Sequence, residues 1–371
     1  MNNRERTLAI LNYRNYDRMP IVHFGYWPET LTKWADEGHI TTEEAQSWAD
    51  GNDTDKAIAA KLGFDYGWSA KVGCYTDISP TFERKVIEQM PDGSRKVIDS
   101  HGVILLEKDG AGSIPMEFDH FLKGRKEWDE HFLPRLQFTP DRVGISDEMK
   151  AGLEADNPTE MRGIHVGSLL GMIRNWLGME NMAYLQADDP ELYDEIIDTV
   201  GELSFKCVEA ALKITTAFDF GHFWEDICFK SGPLINPRVF DEKVGPHYKR
   251  ITDLLAANGI KIVSLDCDGL IDALIPTWIN NGVNTMFPME VGTWNASIKP
   301  WREQYGRELR GVGGMDKKVF AYDYAAIDAE IDRLKPLVAL GGYIPCPDHR
   351  IAPDAKWENV QYYCEKMHKA F

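Results

Sequence analysis

Thiols are scarce in this chain. Six cysteines in 371 residues, scattered at Cys74, Cys207, Cys228, Cys267, Cys346 and Cys364 with no CxxC, are poor material for a disulfide framework at this size and read as reduced thiols. No run of about 18 or more apolar residues is present, so no membrane-spanning helix is expected. The start, Met1-Asn2-Asn3-Arg4-Glu5-Arg6, leads into a mixed helix-like stretch without the apolar region of a signal peptide. Positive charge is also in short supply: 41 Lys and Arg stand against 59 Asp and Glu, for a formal net charge of -18. That balance repels phosphate backbones and anionic lipid. These absences argue against nucleic-acid and membrane partners and for a cytoplasmic protein. Low-complexity tracts, linkers and repeats are missing too, so one domain over residues 1–371 is expected.

What is present is ordinary globular material, 43% hydrophobic and 27% charged, enough for one large core. From Met161 onward short apolar runs alternate with long amphipathic stretches, the rhythm of parallel strands and crossover helices. Strands are expected at 163–166, 217–220, 261–265, 283–287, 309–312 and 343–346. A helix is expected from Pro237 to Ala257, with Asn236 as N-cap and Asn258-Gly259 at its end. Two earlier runs, 20–24 and 64–68, raise the strand count to eight, which suggests a closed (β/α)8 TIM barrel. An open nucleotide-binding sheet would carry a G-x-G-x-x-G or P-loop fingerprint, and neither occurs. Residues 82–115 break the rhythm and read as an antiparallel β-meander with turns at Asp92-Gly93 and His101-Gly102. Such an insertion would cap a site, mediate homodimer contacts or simply pack on the barrel.

In a barrel, chemistry sits at the C-terminal strand ends. The residues there are Glu225 and Asp226, Asp266 and Asp268, Glu290, Asp316, and Asp348 with His349. Asp266 and Asp268, at i and i+2, fall on one face, with Cys267 on the other. Two such carboxylates repel unless a cation or a proton lies between them. The plainer reading makes Asp268-Gly269 a turn and Asp266 the cap of a helix starting near Leu270. Glu225 and Asp226 follow two aromatics, whose partial burial would raise a carboxyl toward acid/base range. His349 lies on a loop before Asp354, the expected N-cap of the last helix. His165 and His23 read as core histidines. Asp266, Asp268, Glu225 and His349 together suit a divalent ion with oxygen and nitrogen ligands, zinc included.

The chain also resembles the uroporphyrinogen decarboxylase superfamily. The likeness rests on Asn3-Arg4-Glu5-Arg6 followed by Asp17-Arg18-Met19-Pro20, on Ser231-Gly232-Pro233-Leu234-Ile235-Asn236-Pro237, on Asp268-Gly269, on Asn281-Gly282-Val283 with Pro288, and on His349 to Pro353 with Glu358-Asn359. It implies an eight-stranded barrel. The decarboxylases carry an arginine-rich segment after the first strand, where this chain reads Phe24-Gly25-Tyr26-Trp27-Pro28, and a many-carboxylate substrate needs cations. The zinc-dependent methyltransferase branch has a His-x-Cys pair and a later Cys, positions that read Asp266, Asp268 and His349 here. The resemblance therefore implies a metal-dependent methyltransferase, with those three as metal ligands and Glu225, Asp226, Asp268 and His349 as catalytic candidates. A small-molecule substrate, a divalent metal such as zinc and a corrinoid protein carrying methylcobalamin are the expected companions. The alternatives are a decarboxylase of uroporphyrinogen or a related acid, and a non-catalytic corrinoid- or tetrapyrrole-binding protein. Around Met161 to Asp189, Arg174, Trp176 and Met179 read as pocket lining for a methyl donor or, more strongly, as core packing.

Overall fold

A computed structural model describes residues 1–70, 72–108, 110 and 116–371. Its centre is a parallel sheet. The strands are β1 (Val22–His23), β2 (Tyr66–Gly67), β3 (Val72–Gly73), the insertion strands β4 (Lys85–Gln89), β5 (Arg95–Ile98), β6 (Val103–Glu107) and β7 (Met116–His120), then β8 (Gly163–Gly167) and β9 (Phe220–Trp224). A short antiparallel pair, β10 (Cys228–Phe229) and β11 (Gly232–Pro233), precedes β12 (Ile262–Asp266), β13 (Thr285–Phe287), β14 (Arg310–Met315) and β15 (Tyr343–Pro347). Seven strands hydrogen-bond in the order β15-β14-β13-β12-β9-β8-β3, and β1 and β2 form a separate parallel pair. A parallel bridge joins Tyr26, beyond β1, to Ile351, beyond β15: Ile351 donates to the Gly25 carbonyl at 3.0 Å and Trp27 to the Ile351 carbonyl at 3.2 Å. Among the described residues the strand ladder is thus a large parallel sheet plus a pair, not a continuous hydrogen-bonded ring.

Helices pack on the sheet, and β13 and β15 are buried along their whole length, which is why they read as unbroken apolar runs. One apolar core extends from Ile10 to Met367. Among the described residues no helix is long and apolar enough to cross a membrane.

Four expectations need correcting. The run at 217–220 is not the strand; β9 begins at Phe220, so His222, Phe223 and Trp224 lie within it. Asp219, which accepts hydrogen bonds from Arg4 and Arg162, anchors the entry instead. The helix expected from Pro237 to Ala257 is two, Pro237–Lys243 and Gly245–Ala257, because Pro246 lacks an N–H and favours a first-turn position. The final helix, Trp357–Ala370, is preceded by Lys356 and not by an Asp354 cap. The meander continues past residue 115: β7 runs to His120, giving a four-stranded antiparallel sheet in the order β4-β5-β6-β7, while residues 109 and 111–115 lie outside the described residues.

That inserted sheet docks at defined points. His101 Nε2 is 3.0 Å from Asp77 Oδ2, and the Asp77 and Asp99 carboxylates raise this imidazole to about 10. His120, at the end of β7, fills a kink in the helix Gly171–Asp188, where Gly178 has φ 72. A Cβ on Gly178 would overlap the His120 ring, so only glycine fits there.

Candidate active site

Three carboxylates and an imidazole converge at the C-terminal ends of the central strands. Asp266 is the last residue of β12 and Asp268 lies two beyond it. Asp226 comes two residues after β9, in the left-handed region at φ 49. His349 comes two residues after β15. One oxygen from each of Asp226, Asp266 and Asp268 lies within 4.8 Å of the other two. Asp226 Oδ1 accepts from the Asp268 backbone N–H at 3.0 Å, and His349 Nε2 sits 3.1 Å from Asp268 Oδ2. Asp268 Oδ1 and His349 Nδ1 are buried with no hydrogen-bond partner among the described residues.

The turn after β12 is built for this. Gly269 has φ 87, and a Cβ there would collide with the Cys228 backbone; its N–H donates to Glu290 Oε2 at 2.6 Å. Asp268-Gly269 is therefore a turn as well as a source of a site carboxylate. Asp266 caps no helix, since the next one, Ile275–Asn280, has no side-chain cap.

Electrostatics follow the crowding. Burial first, then the Asp268 charge, pushes Asp226 up to about 6. Burial and the charges of Asp226 and Asp268 hold Asp266 well above the usual carboxylate range. Glu290 is raised by burial and then by Asp268. Each pair of like charges at this separation repels by on the order of 3 kcal/mol at an effective dielectric near 20.

Cations approach without closing the cluster. Arg174 bears on Asp226; its Nη2 donates to Asn175 at 2.6 Å, while its buried Nε has no partner among the described residues. Lys317 faces Asp348, Asp268 and Glu290, and burial lowers its ammonium below the usual lysine value. Aromatic rings form the adjoining wall. Trp27 stacks on His349 with centroids 5.3 Å apart, and Phe24 meets both His349 at 5.4 Å and Phe287 at 4.4 Å. Arg350 lies over Phe24 at 5.6 Å and pairs with both Asp50 oxygens at 3.0 and 2.6 Å.

Sequence reasoning had named Asp226, Asp266, Asp268 and His349, and the fold brings them together; Asp226, expected as an acid or base, joins the carboxylate trio. Glu225 is placed elsewhere. Fully buried, it accepts from the backbone N–H groups of Leu169, Leu170 and Gly171 at 2.8, 2.9 and 2.6 Å and from the Tyr248 hydroxyl. It thereby satisfies the first turn of the helix Gly171–Asp188, where a carboxylate is favoured. Asp348 is likewise occupied by the N–H groups of Gly292 and Lys317, and Asp316 by that of Lys318. Cys267 and Cys346 are buried thiols pushed well above their usual range by burial, which suits packing and not ligation. Trp176 is core, whereas Arg174 faces the site. Lys317 and Trp27 went unrecognised as site residues. Lys317 directly follows Asp316 at a strand end, a signal the strand-end rule could have used; nothing local marks Trp27 as a partner for His349.

No family model matches the sequence, and no curated protein matches it. Among solved structures, a methyltransferase from Methanosarcina mazei is similar with a TM-score of 0.61 at 13% identity, over 100% of this chain and 99% of that one. A B12-independent methionine synthase from Shewanella sp. W3-18-1, in complex with selenomethionine, gives a TM-score of 0.48 at 11% identity over 95% of this chain and 98% of that one. A putative vitamin-B12-independent methionine synthase from Listeria monocytogenes gives 0.40 at 14%, over 96% and 99%. The Methanosarcina likeness shows a shared fold along the whole of both chains.

Proposed function

We propose that this chain is a metal-dependent methyltransferase of the uroporphyrinogen decarboxylase-like kind, a single (β/α)8 barrel over residues 1–371 exchanging a methyl group with a corrinoid protein. The observation that carries this is the convergence of Asp226, Asp266, Asp268 and His349 at the strand ends, in a fold also found in a methyltransferase. The donor set suits a divalent ion: three carboxylate oxygens within 4.8 Å of one another, with Asp268 Oδ1 buried and unpartnered among the described residues and the His349 imidazole 3.1 Å from Asp268 Oδ2. Asp226, Asp266, Asp268 and His349 would hold the ion. When bound it would supply Lewis acidity that lowers an acceptor's pKa or neutralises a leaving group.

The protein's own groups have definable work. His349 Nε2 lies 3.1 Å from Asp268 Oδ2, and Trp27 stacked on its face fixes the ring plane. Phe24 and Trp27, both partly exposed, offer an apolar surface for the methyl-bearing portion of a small substrate. Arg174 provides a charge-assisted donor for an anionic substituent.

The test follows methylcobalamin and cob(I)alamin spectroscopically under anaerobic conditions with a panel of thiols, ethers and amines, alongside elemental analysis and chromatography of uroporphyrinogen products. Bound divalent metal near one per chain and methyl exchange are expected, with exchange reduced at least about 10²-fold by His349→Ala. Coproporphyrinogen formation with unchanged cobalamin spectra would select the decarboxylase instead. Absence of both turnover and metal would leave a binding protein.

A further inference from the structure

The end of the sheet where strands begin, remote from the carboxylate cluster, carries a second organised feature. Tyr13 follows the helix Asn3–Leu11 with φ 56. Its ring lies against Gly341 and Gly342, and a Cβ on Gly342 would overlap it. Its hydroxyl donates to the carbonyls of Arg307 and Leu309 at 3.0 and 3.2 Å. Three guanidinium groups surround this fixed ring: Arg307 at 4.9 Å, Arg302 at 5.1 Å and Arg310 at 5.8 Å from its centroid. Beside it opens a cavity of about 470 Å³, whose lining includes Arg14, Arg307 and Lys335 together with Ile10, Tyr16 and Val338.

Five cations thus gather in a chain whose net charge is -18. The acids nearby are few. Lys335 pairs with Asp332 at 2.6 Å, and Glu308 bears on Tyr13. Arg310 is held by carbonyls, those of Leu11 at 2.6 Å and Glu308 at 3.3 Å. Arg302 donates through Nη1 to the Leu340 carbonyl at 3.0 Å, but Nε and Nη2 are buried with no partner among the described residues. No carboxylate among the described residues takes up the Nε and Nη2 edge, so the Arg302 charge behind Tyr13 is not neutralised by an ion pair there. Arg302 and Arg310 are partly buried and Arg14, Arg307 and Lys335 are exposed in the cavity lining, and like charges clustered in this way focus a positive potential that favours an anion.

We infer that this cavity binds a small organic phosphate, its dianion held by Arg14, Arg307 and Lys335 and its apolar body resting on Ile10 and Val338. The field of Arg302 and Arg310 behind Tyr13 reinforces the attraction. Three cationic side chains lining one cavity match a dianion with three acceptor oxygens better than a single carboxylate, and the volume falls in the range of small-molecule sites.

The experiment is calorimetric titration of the full chain with phenyl phosphate at about 0.15 M salt, with benzyl alcohol as the uncharged counterpart. Saturable binding of one ligand per chain with a Kd below about 1 mM is expected. Arg307→Gln and Arg14→Gln should each weaken it at least about tenfold, and benzyl alcohol should not bind. Arg238→Gln, at an arginine 80% exposed on the helix Pro237–Lys243, should change nothing. No saturable heat up to about 10 mM would overturn the proposal. So would an equal loss in Arg238→Gln, which would mean net charge alone, or equal binding of benzyl alcohol, which would mean an apolar pocket. Tyr13 is held through the backbone carbonyl of Arg307, so the Gln variant keeps that anchor.

Discussion

Glu225 and Asp226 are adjacent in the chain and serve different ends. Glu225 answers three backbone N–H groups and the hydroxyls of Tyr248 and Ser168 in a fully buried position, so removing it strands five donors away from water. Glu225→Ala is therefore expected to lower stability by at least about 3 kcal/mol in urea unfolding, whatever ligand is present. Asp226 is half-buried, strained at φ 49 and repelled by its neighbours. Asp226→Asn should shift stability by no more than about 1 kcal/mol while weakening zinc binding at least about tenfold by calorimetry. If the alanine variant unfolds at wild-type urea, or the asparagine variant binds zinc normally, the division of labour is wrong. Composition could not have separated the two, because both are acids after the same strand; only the helix start packed against Glu225 distinguishes them.

At the scale of elements, adjacent strands carry a titratable pair. His165 on β8 and His222 on β9 are register partners. Burial lowers His165 to about 4, and burial together with the His165 charge lowers His222 to about 3; His222 Nδ1 also lies 2.7 Å from Ser264 Oγ. A free histidine titrates near pH 6.5, so below that value the unfolded chain takes up protons that the folded strands refuse. The stability these residues confer is complete above about pH 6.5 and is lost as pH falls toward 4 and then 3. Urea midpoints measured between pH 7.5 and 4.5 should therefore fall less steeply in His222→Asn than in wild type; equal slopes would contradict the assignment. His165 was legible as a core residue because it interrupts an apolar run, whereas the strand expected at 217–220 left His222 outside it. Most strands were legible for a related reason, since strands covered on both faces are apolar throughout. The placement of β9 was not, because Ala217 and Phe218 extend the apolar run backward while the Arg4 and Arg162 contacts that end it at Asp219 come from distant segments. The break before Gly245 was written in Gly245-Pro246 and outweighed by the helical period on either side.

Over the whole molecule, the strand-end rule located the site because three strands deliver their acids and imidazole to one place, whereas Trp27 and Arg174 reach it from a loop and a helix whose direction no local pattern reveals. The price of that convergence is repulsion among Asp226, Asp266 and Asp268, whose oxygens lie within 4.8 Å of one another. In a chain already at a net charge of -18, removing one of these charges should help the metal-free protein, since stabilising substitutions are commonly found where function demands strain. Asp266→Asn keeps shape and hydrogen-bonding capacity, so in EDTA at pH 8 its unfolding free energy should exceed that of wild type by about 1 kcal/mol. Zinc should act in the opposite sense across the pair. Wild type should gain about 2.7 kcal/mol at a free ion concentration near 100 times its Kd, because the ion binds the folded chain alone, and Asp266→Asn should gain little. The measurement is urea unfolding of both proteins with EDTA and with zinc. A variant less stable than wild type in EDTA would show that Asp266 holds the strand end in place, and an undiminished zinc response would remove Asp266 from the ligand set.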